Sequence, residues 1–135
     1  MSEQTPAGTV DQTAEATRAH EVAKFLRQYE ISLVTLEGEH AGENVLVTRL
    51  PFVIGRGKRA TMNLSNETIS RRHAEIRLSA TGRLELLDPG SANGSFINGE
   101  RVETALLEDG DEVRFGSVRY QVVVENRGPM TYIAE

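Results

Sequence analysis

Gly55-Arg56, then Ser70-Arg71-Arg72-His73, then Ser91-Ala92-Asn93-Gly94-Ser95-Phe96-Ile97-Asn98-Gly99: these three polar stretches, set between apolar runs, decide how the chain reads. Gly55-Arg56 closes the strand-like Phe52-Val53-Ile54, and Ser70 to His73 lead into the alternating Ala74-Glu75-Ile76-Arg77-Leu78. The third stretch holds two Asn-Gly pairs, the strongest short-range signal for tight turns with positive φ. Loops with this much specific chemistry on a β scaffold usually carry the function. Their pattern implies one small anion-binding surface.

Working outward, apolar residues recur with a period of two in the segments 31–36, 44–48, 52–54, 62–64, 73–79, 84–87, 95–97, 101–102, 111–115 and 118–124. Gly or Asn turns separate them. About ten short strands at such spacing predict an all-β antiparallel β-sandwich or barrel. Upstream, residues 1–12 are polar without an apolar period and are expected to be disordered. Residues 13–29 are rich in Ala, Glu, Arg, Lys and Gln and predict a helix. Its stripe of Val22, Phe25, Leu26 and Tyr29 should pack on something, because a helix this short barely persists alone. Residues 30–126 form the expected domain. Gly128-Pro129 ends the order, leaving a C-terminal tail over 127–135 with Met130, Tyr132 and Ile133.

At 135 residues without cysteine, one ordinary core is expected, with no disulfide framework and no thiol nucleophile. His20, His40 and His73 show no metal-ligand spacing, so neither a metal nor a cofactor is expected. No leader-like N-terminus and no run near ~20 apolar residues is present, which predicts a soluble cytoplasmic protein without membrane insertion. Fifteen basic against twenty acidic residues give a net charge of −5, which argues against nucleic-acid binding. Against that background Arg56, Lys58, Arg59, Arg71 and Arg72 cluster in two strand-flanking loops, opposed only by Glu67.

A dianionic phosphate needs fork-shaped donors, a hydroxyl and free backbone N–H groups, and arginine supplies the bidentate geometry that lysine lacks. Arg56 at a strand exit and Ser70-Arg71 at a strand entrance can face each other across one gap. Gly- and Asn-rich turns can add a backbone nest. Phosphothreonine, with about −1.5 to −2 charges at neutral pH, suits such a cluster. Gly55-Arg56-Gly57-Lys58 lacks the full pattern of a nucleotide-binding loop. Ser70 has no nucleophile elbow around it, which sets a hydrolase aside.

Taken together, Gly55-Arg56, Ser70-Arg71-Arg72-His73 and the run from Asp88 through Ser91-Ala92-Asn93-Gly94-Ser95 to Asn98-Gly99 resemble the forkhead-associated (FHA) domain over roughly residues 30–125. The resemblance implies an FHA/SMAD-like sandwich of about 10–11 strands that binds phosphothreonine peptides through apical loops without catalysis. It implies phosphopeptide contacts at Arg56, Ser70, Arg71, Ser91, Ala92 and Asn93. Gly55, His73, Gly94, Asn98 and Gly99 would brace the loops. Ala92 stands where phosphate-binding members often carry Thr or Ser, which predicts weaker but retained binding. Lys58 and Arg59, or Arg114 and Arg119, are candidates for favouring an acidic residue three positions after the phosphothreonine.

The implied partners are phosphothreonine proteins, substrates of Ser/Thr kinases, and the implied role is a signalling adaptor. Two alternatives share the fold. One binds an unphosphorylated partner through another face. The other is a switch in which Thr5, Thr9, Thr13 or Thr17, phosphorylated in the N-terminal segment, blocks the chain's own binding surface.

Overall fold

In a computed structural model, residues 7–129 are described, with side chains from residue 14 onward. One helix, α1 (Ala7–Gln28), precedes eleven strands: β1 (Tyr29–Thr35), β2 (Asn44–Val47), β3 (Phe52–Gly55), β4 (Met62–Asn63), β5 (Ala74–Leu78), β6 (Leu84–Leu87), β7 (Ser95–Ile97), β8 (Glu100–Val102), β9 (Thr104–Leu106), β10 (Glu112–Phe115) and β11 (Val118–Asn126). They form a six-stranded sheet in the order β2-β1-β11-β10-β7-β8 and a five-stranded sheet in the order β4-β3-β5-β6-β9. Every pairing is antiparallel except β3 with β4. The loop after Gly55 doubles back so that Met62 meets Ile54 in a short parallel contact.

Alternation builds most of the core, with Ser32 of β1 buried as well. Ile31 and Leu33 of β1, Ala74 and Ile76 of β5, Val113 and Phe115 of β10, and Tyr120 and Val122 of β11 all point inward and are buried. Glu75 and Arg77, between the inward residues of β5, are only partly buried. Fully burying such a side chain contributes roughly 1.5–3 kcal/mol, so the alternation fixes the register of both sheets.

The chain crosses between the sheets four times, and the shortest crossing takes a single residue. β8 belongs to the six-stranded sheet and β9 to the five-stranded one, with Glu103 alone between them. The Glu103 carbonyl accepts a hydrogen bond from Asp88 N–H at 2.7 Å. β9 escapes the sequence pattern because it is three residues long and partly exposed. Pairing with β6 makes it a strand, not its own composition.

The helix begins at Ala7, earlier than residue 13, and hands over to β1 at Tyr29. Adding turns to an existing helix is much easier than nucleating one, so the expected disorder does not hold over residues 7–12. Phe25 and Leu26 pack against the core, and the Phe25 and Tyr29 rings lie 4.8 Å apart. The C-terminal segment with Met130, Tyr132 and Ile133 lies outside the described residues.

β11, nine residues long, carries the chain about 27 Å from one end of the sandwich to the other. At its start the Gly116–Ser117 turn touches Thr68. At its end Asn126 pairs with Tyr29, and Arg127 N–H donates to the Gln28 carbonyl at 2.8 Å. Thus α1 joins the sandwich at the pole opposite the arginine loops.

Candidate functional site

The loops after β3, before β5 and before β7 meet at one rim. Backbone bonds set the first contact: Arg56 N–H donates to Ser70 O and Gly57 N–H to Arg71 O, both at 3.0 Å. This closeness demands glycine at position 55, since a Cβ there would lie 2.0 Å from the Arg71 carbonyl oxygen. The Arg56 guanidinium spends only Nε on the protein, donating to the Ile69 carbonyl at 3.0 Å. Its two terminal nitrogens have no hydrogen-bond partner among the described residues.

Ser70 is held at both ends. Its N–H donates to His73 Nδ1 at 3.0 Å, and its hydroxyl oxygen accepts Ala92 N–H at 3.0 Å. The hydroxyl proton therefore stays available. His73 is fully buried, and its Nε2 lies 2.8 Å from the Gly94 carbonyl. Since an N–H must donate to Nδ1 and a carbonyl must accept from Nε2, the ring is the neutral Nε2–H tautomer. One imidazole thus ties the Ser70 loop to the Asn93 loop. Arg71 is exposed, and its guanidinium has no partner among the described residues.

The third loop is fixed by a carboxylate. Asp88 accepts from Gly90 N–H (2.8 Å), Ser91 N–H (2.7 Å) and the Ser91 hydroxyl (2.6 Å). Burial pushes its carboxyl up, yet the hydrogen bonds from Ser91 and Gly90 outweigh it and leave Asp88 below its ordinary value. The Ser95 hydroxyl, buried beside it, adds the weakest pull and forms no hydrogen bond of ordinary geometry. Ser91 Oγ also accepts Gly94 N–H at 3.0 Å. Ser91, read from sequence as a phosphopeptide contact, is buried and committed inward, so it braces the loop instead.

Asn93 is exposed and donates its side-chain N–H to the Thr68 carbonyl at 2.9 Å, while its carbonyl oxygen has no hydrogen-bond partner among the described residues. Asn98 (φ 51°) and Gly99 (φ 88°) make the β7–β8 turn, where both central residues need the left-handed region. Asn98 locks that turn to β10 by donating to Asp111 Oδ1 and accepting Glu112 N–H, both at 3.0 Å.

Sequence reasoning missed Thr68. Its N–H and hydroxyl both donate to Asn66 Oδ1, its oxygen accepts Ser117 N–H, and its carbonyl holds Asn93. It joins three loops. The Asn66-Glu67-Thr68 spacing does signal an Asx turn, but nothing local reveals the reach to Ser117 or Asn93.

The remaining candidates divide. Lys58 and Arg59 stay exposed near Arg56. Arg119 is bound by Glu37 and Glu112, whose hydrogen bonds raise it above its ordinary value, so it is not free to read a ligand. Thr9, Thr13 and Thr17 fall within α1, and Thr5 lies outside the described residues. Among the described residues no cluster of three or more His, Asp or Glu could hold a metal, and no helix is long and apolar enough to cross a membrane.

The FHA domain family model matches residues 52–116. The glycogen accumulation regulator GarA of Mycolicibacterium smegmatis is 40% identical over 87 residues, covering 64% of this chain and 54% of that protein. The oxoglutarate dehydrogenase inhibitor of Corynebacterium glutamicum is 36% identical over 87 residues, covering 64% of this chain and 60% of that one. The chain thus spans just over half the length of these relatives. A solved structure from a structural and functional analysis of phosphothreonine-dependent FHA domain interactions superposes with a TM-score of 0.62 at 31% identity, covering 75% of this chain and 99% of that one.

Proposed function

Because the chain belongs to the FHA domain family, we propose that it is a phosphothreonine-dependent interaction module acting as a signalling adaptor. The observation that carries this reading is the set of uncommitted donors at one rim. These are the terminal nitrogens of Arg56, the Ser70 hydroxyl proton and the whole guanidinium of Arg71. Hydrogen bonds to a charged group contribute roughly 1.5–3 kcal/mol each, so two or three of them decide the affinity. Asn93, oriented by Thr68, would present its carbonyl oxygen to a peptide N–H and set the register.

Ala92 supplies no hydroxyl, but its N–H occupies the acceptor side of Ser70 and directs that hydroxyl proton toward the ligand. Phosphate binding is therefore retained at reduced strength. The partners are phosphorylated substrates of Ser/Thr kinases in the cytoplasm, and the chain acts on them by docking rather than by catalysis. The names of its relatives, a regulator and an enzyme inhibitor, accord with that mode of action.

The test is calorimetric titration with a degenerate phosphothreonine peptide library, its unphosphorylated copy, and an Arg56→Ala variant. Micromolar binding that disappears on dephosphorylation and weakens about 10- to 100-fold in the variant, with the fold retained, is expected. Equal binding of both peptide forms would overturn the reading in favour of phosphate-independent docking.

A further inference from the structure

Beside the rim, the outer face of the six-stranded sheet carries a row of side chains that the loops do not account for. Arg101 of β8 pairs with Phe96 of β7, Phe96 with Arg114 of β10, and Arg114 with Arg119 of β11. Their chain neighbours Ser95, Val113, Phe115 and Tyr120 are buried on the inner side. Like charges directly opposite one another destabilise a sheet, and three guanidinium groups share this row.

Two of the three are provided for within the protein. Arg119 meets Glu37 and Glu112 at 3.1 and 3.0 Å. Arg114 stacks with its guanidinium carbon 3.8 Å from the Phe96 ring centroid and donates to the Gly116 carbonyl at 2.6 Å. Arg101 lies 6.0 Å from the same centroid, is exposed, and has no carboxylate partner among the described residues. Glu100, its neighbour on β8, is paired with Ile97 and so belongs to the opposite face.

The row also runs into the rim. A Cβ at Gly94 would lie 2.9 Å from Arg101 Nε and 3.1 Å from the Phe96 ring, and Gly94 directly follows Asn93. Ala92 N lies 3.0 Å from the Ser70 hydroxyl oxygen. From Ala92 to Gly94 the backbone spans at most ~7 Å, so Arg101 is within reach of a side chain up to about four extended residues from the phosphothreonine.

We propose that Arg101, beside Phe96 and the Arg114 stacked on it, forms a second contact surface on the sheet face that takes an acidic side chain of the same phosphothreonine peptide. The proposal rests on the phosphopeptide reading above. A single planar carboxylate fits because it bonds a guanidinium fork bidentately. An extended polyanion does not fit, because the chain as a whole is negative, at −5.

The test uses the full chain and a fixed phosphothreonine peptide in which one Glu is walked through the four positions on either side, against Gln at the same positions. Wild type should prefer Glu at one position about three- to fivefold at low salt, with the preference fading as salt rises. Arg101→Gln should erase that preference while leaving affinity for the Gln peptide unchanged. Arg83→Gln, an equal loss of charge at an exposed residue paired with Glu108, should leave the preference intact. Phosphate-dependent binding with no Glu preference, or a preference that survives Arg101→Gln, overturns this proposal alone. Failure of every phosphorylated peptide to bind wild type overturns it together with the phosphopeptide reading.

Discussion

Apart from Arg101 and Arg114 on the face of the six-stranded sheet, the rim and the flanks of the sandwich treat the cations compared below differently. On the flanks Arg72 meets Glu75, Arg77 meets Glu85, Arg83 meets Glu108, and Arg127 meets Glu30. At the rim, Arg56, Lys58, Arg59 and Arg71 have no ion-pair partner among the described residues. The rim loops are held instead by neutral groups, namely His73, Ser91, Thr68, Asn66 and backbone amides, together with the one buried carboxylate of Asp88. Positioning and charge are thus assigned to different residues. The framework orders the loops without consuming the guanidinium groups, so the ordering is done before a ligand arrives.

Mutations should separate the two assignments. Arg56→Ala removes charge but only one framework bond, the one to Ile69. Phosphopeptide affinity should fall about 10- to 100-fold by calorimetry, the equivalent of one or two charge-assisted bonds, with the urea midpoint nearly unchanged. His73→Leu should do the reverse. It strands the Ser70 N–H and the Gly94 carbonyl, which should lower stability by about 2–4 kcal/mol in urea unfolding. Loss of affinity should follow only as far as Ser70 is released. If His73→Leu left stability intact, the split between framework and charge would collapse.

A smaller effect concerns acid. The Asp88 carboxyl is depressed below its ordinary value of 3.8, so its contribution is fully present above that pH and is lost as pH falls through the lower folded-state value. Stability followed by urea unfolding should therefore drop further below pH 4 in wild type than in Asp88→Asn. The variant should begin less stable at neutral pH. The smallest effect sharpens the comparison from the flank side. Arg72→Gln breaks an exposed pair with Glu75 and should change stability by less than about 0.5 kcal/mol.

The parts of this plan that lie in contiguous motifs were legible in the sequence. Period-two alternation gave β1, β5 and β11, and Asn98-Gly99 gave its turn, because each depends on residues close along the chain. Arg56 and Ser70 could be brought together through the family pattern. Their contact depends on Gly55 tolerating the Arg71 carbonyl, a steric fact of the folded state. Thr68 and Arg119 could not be read, since their partners Ser117 and Glu37 lie far away in the chain. Ser91 was misread for a related reason: its motif position is at the rim, but its hydroxyl is claimed by Asp88 three residues earlier. β9 depended wholly on its neighbour strand.

The hydrogen bond between Arg127 and Gln28 has a practical corollary. Where the polypeptide enters the sandwich and where it leaves are side by side, on the side facing away from the arginine loops. Such a unit behaves as a plug-in cassette: a fusion partner or an immobilising tag joined just beyond Arg127 leaves the sandwich at the pole away from the arginine loops. Sensor surfaces prepared that way should report the same peptide affinities as the untethered protein.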